Sequence, residues 1–95
     1  MGGMIMRLYD LITIYEDVIK KHDMFEVFKK YDLILLVDGN GGFLLGEVAI
    51  IISEYHEQIY LFADPYTTAE EWMEDNLPEG DGEIIYSNRA DVRYE

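Results

Sequence analysis

The residues best suited to chemistry are Asp38-Gly39-Asn40-Gly41-Gly42, followed closely by Gly46 and Glu47. A glycine-rich loop holding an acid and an amide can cradle a phosphate or a calcium ion, and each possibility makes demands on its neighbours. Gly41-x4-Gly46 opens like a phosphate loop, which must continue with lysine and then serine or threonine. Glu47 and Val48 stand there instead, so an acid occupies the place of the cation. A dinucleotide fingerprint begun at Gly39 and Gly41 needs glycine at position 44, which is Leu44. A calcium loop begun at Asp38 and Asn40 meets Gly42 where a side-chain ligand is needed, Phe43 where glycine is needed and Ala49 where glutamate is needed. The stretch reads as a five-residue hairpin turn, because Asp, Asn and Gly accept the positive φ that such turns impose.

Other reactive residues are sparse. Glu54, His56 and Glu57 in "EYHE" would offer two metal ligands on one face of a strand, but a site wants three or four, and in a loop they form only a polar turn. The other histidine, His22, lies on the apolar stripe of a helix. Ser53 and Ser87 lack a nucleophile motif. No cysteine is present, which removes disulfides, thiolate nucleophiles and cysteine-bound zinc, and suits a reducing cytoplasm. The sequence therefore leads to a non-enzymatic protein with no catalytic residue, no metal and no cofactor.

The elements that would position any site follow from periodicity. Apolar residues at Leu8, Leu11, Ile12, Tyr15, Val18, Ile19, His22, Phe25 and Phe28 recur at three and four, the stripe of a helix. Asp23 and Glu26 have capping-box spacing, dividing the segment into helices over about 7–21 and 24–30. "LILLV" (33–37), "FLLGEVAIII" (43–52), "QIYLFA" (58–63) and "EIIYS" (83–87) read as strands, with "DVRYE" (91–95) as an edge strand or tail. The connections "DGNGG" and "SEYHE" are short enough for antiparallel hairpins. Between the third and fourth strands, "TTAEEWMEDNLPEG" carries helix start and stop signals, with Thr67 or Thr68 as cap. The expected architecture is one α+β domain over 1–95. An N-terminal helical segment and one acidic helix pack on a mostly antiparallel sheet of four to five strands, with 1–6 as an extraneous or disordered lead-in. The longest apolar runs fall far short of the ~20 residues of a membrane helix, and no secretion signal is visible, so a cytoplasmic protein without membrane contact is expected.

Charge is the strongest signal. The formal net charge is −13. Residues 1–31 hold five acids and five bases, while residues 32–95 hold fifteen acids and only Arg89 and Arg93 as bases. From position 31 through 88 there are thirteen acids and no lysine or arginine. On a helical wheel, Ala69, Trp72, Met73 and Leu77 share one side, and Glu70, Glu71, Glu74 and Asp75 the other. The like-charge pairs Glu70–Glu74 and Glu71–Asp75 each oppose the helix by ~0.2–0.5 kcal/mol. The helix dipole also disfavours the two later acids. Acidity continues through Glu79, Asp81 and Glu83. Four charges over 70–75 amount to roughly one per 2 Å of axis, against about one per 1.7 Å for duplex DNA.

A short, cysteine-free, acidic α+β chain carrying "AEEWMEDNLPEGDGE" resembles the phage-encoded inhibitors that imitate nucleic acid: anti-CRISPR proteins, anti-restriction proteins and the uracil-DNA glycosylase inhibitor. The resemblance lies in size and charge layout over 32–95. It implies a stoichiometric inhibitor in the host cytoplasm whose Glu70, Glu71, Glu74, Asp75, Glu79, Asp81 and Glu83 face a basic nucleic-acid-binding host protein, such as a nuclease or effector complex, with no direct contact to nucleic acid. The competing reading is a structural or accessory module, acidic only for solubility, that forms a homodimer through an apolar strand edge such as "EVAIII" or "QIYLFA".

Overall fold

The computed structural model describes residues 6–22, 25–37, 39–40 and 43–89. In chain order the elements are β1 (Met6–Arg7), α1 (Leu8–His22), α2 (Phe25–Lys30), β2 (Asp32–Val37), β3 (Gly39–Asn40), β4 (Phe43–Leu44), β5 (Glu47–Ser53), β6 (Gln58–Asp64), α3 (Ala69–Asn76) and β7 (Glu83–Ser87). The fold is α+β. Its main sheet has the order β2-β6-β5-β7, and β1, β4 and β3 form a second, very short sheet. The expected breaker at Asp23 and the expected strand or tail over 91–95 lie outside the described residues.

The apolar runs dictate the layering. β5 is buried at every residue and β6 along its whole interior, so both must be covered on two faces. Alternation sorts their side chains. Val48, Ile50, Ile52, Ile59, Leu61 and Ala63 pack against Leu11 and Val18 of α1. Ala49, Ile51, Tyr60 and Phe62 pack against Ala69 and Leu77 at either end of α3, with Trp72 and Met73 beside them. The central strands are thus sandwiched between α1 and α3. Trp72 lies 4.8 Å from Tyr60 and 6.1 Å from Phe62 between ring centroids, the geometry of edge-on and tilted aromatic pairs.

Four expectations need correction. The strands flanking "DGNGG" do not pair with each other: β2 runs parallel to β6, Leu33 beside Ile59 and Val37 beside Ala63. Two of the three pairings in the main sheet are antiparallel and this one is parallel. The reason lies in the second correction, since "FLLGEVAIII" is not one strand. Gly46 has φ +79, and a Cβ there would collide with the Asp64 carbonyl. This left-handed residue breaks the run, leaving Phe43–Leu44 to pair with β1 and β3 and Glu47–Ser53 to enter the main sheet. The glycine stretch accordingly lies within a small hairpin, Asn40 opposite Phe43, while Asp38, Gly41 and Gly42 lie outside the described residues. Third, "EVAIII" and "QIYLFA" are the two central strands and have no free edge; among the described residues the edges are β2 and β7. Fourth, Met6 is not part of a disordered lead-in, because it belongs to β1 and is 2% exposed.

Candidate functional site: an acidic groove along the third helix

α3 begins where the sequence signals placed it. The Thr68 hydroxyl accepts a hydrogen bond from the Glu71 N–H at 3.1 Å, and the Glu71 carboxylate accepts from the Thr68 N–H at 3.1 Å, a reciprocal capping box. The Thr68 backbone and hydroxyl donors hold the Glu71 carboxyl below the ordinary glutamate range. At the other end the Leu77 N–H closes on the Met73 carbonyl at 2.9 Å, and Pro78 follows.

Burial orients the helix as the wheel required. Ala69 and Leu77 are buried, Trp72 and Met73 half-buried, and Glu70, Glu71, Glu74 and Asp75 exposed. An open groove of about 750 Å³ runs along it, lined by Glu70, Glu74, Glu79 and Asp81 over a floor of Met73, Leu77 and Pro78. Four of the seven residues named from sequence therefore line one depression. Asp75 and Glu83 are exposed outside it, and Glu71 lies beside a separate depression at the start of the helix.

The acids are not equivalent. The side chains of Glu74, Asp75, Glu79 and Glu83 are exposed and make no hydrogen bond or ion pair among the described residues. Glu70 meets Arg89 at 3.4 Å, an exposed contact of modest strength. Glu71 is committed to the cap. Asp81 acts as an internal brace: its carboxylate accepts from the Ser53 hydroxyl at 2.6 Å and from the N–H groups of Glu54 and Tyr55 at 3.2 and 3.3 Å. Burial alone would raise the Asp81 pKa, but these donors and the Gly82 N–H outweigh it and hold the carboxyl below the ordinary aspartate value. Asp81 thus joins the groove to the β5–β6 turn at 54–57. That turn contains His56, whose N–H donates to the Ser53 hydroxyl.

One carboxylate escaped the sequence reading. Glu47, 8% exposed, accepts from the Ala69 N–H at the start of α3 at 2.7 Å and from the Ser87 hydroxyl at 2.6 Å. Arg89 approaches it at 3.7 Å. A buried carboxylate with donors from a helix N-terminus, a hydroxyl and a guanidinium is well compensated, and it ties β5, α3 and β7 together. Its signal was an acid heading a run of buried apolar residues, next to an obligatory glycine. Arg89, one of two bases in the acidic half, reaches Glu47 and Glu70, and among the described residues no basic side chain forms an ion pair with Glu74, Asp75, Glu79 or Glu83. Among the described residues no cluster of three or more His, Asp or Glu could hold a metal ion, and no helix is long and apolar enough to cross a membrane. Comparison with protein-family models, curated proteins and solved structures finds no match to this chain.

Proposed function

We propose that this chain is a non-enzymatic inhibitor, phage-encoded and anti-CRISPR-like, that acts in the host cytoplasm by occupying the basic nucleic-acid-binding groove of a host nuclease or effector protein. The observation that carries this reading is the groove along α3, where carboxylates stand over an apolar floor. A lysine or arginine of the partner can lay its aliphatic stem on Met73, Leu77 and Pro78 while its charged head meets Glu70, Glu74 or Glu79. Asp75 and Glu83 extend the negative field beyond the groove, and Asp81 fixes its far end. The outer acids attract a basic surface during approach, and pairing within the groove sets the register of docking. The same field repels phosphates, so the chain itself does not bind nucleic acid.

The experiment is a retention assay on immobilised protein challenged with bacterial lysate. Basic nucleic-acid-binding proteins are expected to be retained, and to be released both by a salt gradient and by added duplex DNA, since DNA competes for the same groove on the partner. A matrix carrying Glu74→Lys with Asp75→Lys should retain none of them, whereas Glu16→Lys with Asp17→Lys on α1 should retain the same set. Equal retention by the parent and the α3 double variant would overturn the reading.

A further inference from the structure

The main sheet ends on one side at β2, which is hydrogen-bonded to β6 alone. Among the described residues, its outer side carries backbone N–H and C=O groups with no partner strand. Leu33 and Leu35 stand in register with Ile59 and Leu61, on the face covered by α1 over the central strands, yet they remain 45% and 50% exposed. Proteins commonly guard such an edge with lysine, proline or a bulge. β2 has no lysine and no proline, its pairing with β6 is unbroken, and its one charge is Asp32 at the start.

We propose that β2 is a homodimer interface in which two copies pair their β2 strands antiparallel about a two-fold axis, joining two sheets into one. A two-fold axis normal to the sheet keeps each face continuous, so residues opposite one another must share a face. Two central registers meet that condition. Centred on Ile34, the pairing sets Asp32 against the partner's Leu36. Centred on Leu35, it sets Leu33 against the partner's Val37 and Ile34 against the partner's Leu36, an apolar ladder on both faces. Both registers gather the exposed leucines of both copies on one face, but only the second gives each of residues 33–37 an apolar partner, with opposing side chains about 4.5–5.5 Å apart.

A second copy fits this edge better than a basic partner does, because residues 33–37 offer no charge to recruit one and the strand is complementary to itself. Electrostatics permits the pairing despite the net charge of −13. Glu70 is held at Arg89, just past β7, Asp81 braces the β5–β6 turn, and residues 33–37 themselves carry no charge. At about 4.8 Å per strand, the β7 sides of the two copies lie roughly 30 Å apart, several Debye lengths at physiological salt. A ladder this short belongs at the small end of specific interfaces, below about 1,200 Å² in total, so the dimer is reversible and depends on concentration. The inference is independent of the role given to the acidic groove.

The test uses the intact chain. Sedimentation should show the mass rising from one chain to two with concentration, and added salt should not reverse the rise, in contrast to binding at the acidic groove. Leu35→Lys, which places two like charges at the two-fold axis, should stay monomeric with an unchanged melting curve. Because the chain has no cysteine, Leu35→Cys supplies a single thiol, and in this register the two Cα atoms stand about 4.5–5.5 Å apart, within disulfide range. It should therefore oxidise to a covalent dimer. Leu33→Cys starts from similar exposure but should not, since its counterpart lies roughly 13 Å away along the strands. A one-chain mass at every concentration, or equal cross-linking at positions 33 and 35, would overturn the proposal.

Discussion

Replacing Glu74 and Asp75 together with lysine should make the protein more stable. Both side chains are exposed on the last turns of α3 and have no partner among the described residues. Glu70 and Glu71 stand four residues before them, so the parent carries two like-charge pairs, each costing about 0.2–0.5 kcal/mol. The substitution turns both into the favourable orientation, acid before base. It also places two positive charges at the negative end of the helix, where each contributes about 0.3–1 kcal/mol at low salt. Those gains are not fully realised, because Glu70 already contacts Arg89 and Glu71 is held by Thr68. A net gain of roughly 0.5–1 kcal/mol is the reasonable outcome for exposed groups with prior partners. For a domain of this size that raises the melting temperature by about 2–8 °C. The assay is thermal melting followed by fluorescence of Trp72, the single tryptophan, which packs on Tyr60 and Phe62. At about 1 M salt, where the Debye length falls to about 3 Å, the gain should largely vanish. A double variant that melts at or below the parent in low salt would refute the placement of these side chains, and with it the free acidic face.

Gly46→Ala should destabilise by about 2–4 kcal/mol in urea titration, because it adds a Cβ at a positive φ and drives it into the Asp64 carbonyl. Glu47→Ala should cost about 3–5 kcal/mol, since it strips partners from the Ala69 N–H, the Ser87 hydroxyl and Arg89 at once, and Glu47→Gln, which keeps an acceptor there, should cost clearly less in the same titration. Asp81→Asn should lose about 1–2 kcal/mol near neutral pH. Because the folded-state pKa of Asp81 is depressed, its contribution is present above the unfolded value of roughly 4 and fades as pH falls through the lower folded value, so the stability gap between parent and variant should narrow in acid. A gap that stays constant down to the acid transition would contradict the brace.

Local signals carried well from sequence to structure where one element decided the outcome. The α3 capping box was legible in Thr68 and Glu71, the apolar side of the helix in Ala69, Trp72, Met73 and Leu77, and β7 in "EIIYS". Pairing across the sheet was not legible. "LILLV", "EVAIII" and "QIYLFA" are all apolar runs, and such runs say that a strand is buried without saying which strand lies beside it. Nothing local to β2 sends it past its nearest neighbour to run parallel to β6. Gly46 was the missed cue: a glycine inside a strand pattern marks a bulge or a close backbone approach, and here it marks the boundary between two sheets. The seven acids were named as one surface because charge counts are local. Their separate duties depend on contacts remote in sequence. Asp81 reaches Ser53 across 28 residues and Arg89 reaches Glu70 across 19, distances that no helical wheel spans.

Carboxylate footprinting tests the central claim most directly. The protein is labelled at its exposed acids with a water-soluble carbodiimide and an amine, alone and in complex with the basic protein it retains, and label at each residue is read by mass spectrometry. The account predicts that Glu74 and Glu79, exposed on the groove wall, lose most of their labelling in the complex, while Glu16 and Asp17, exposed on α1, label as before. Undiminished labelling at Glu74 and Glu79 in a saturated complex would contradict the account and leave the acidic groove as solvated surface.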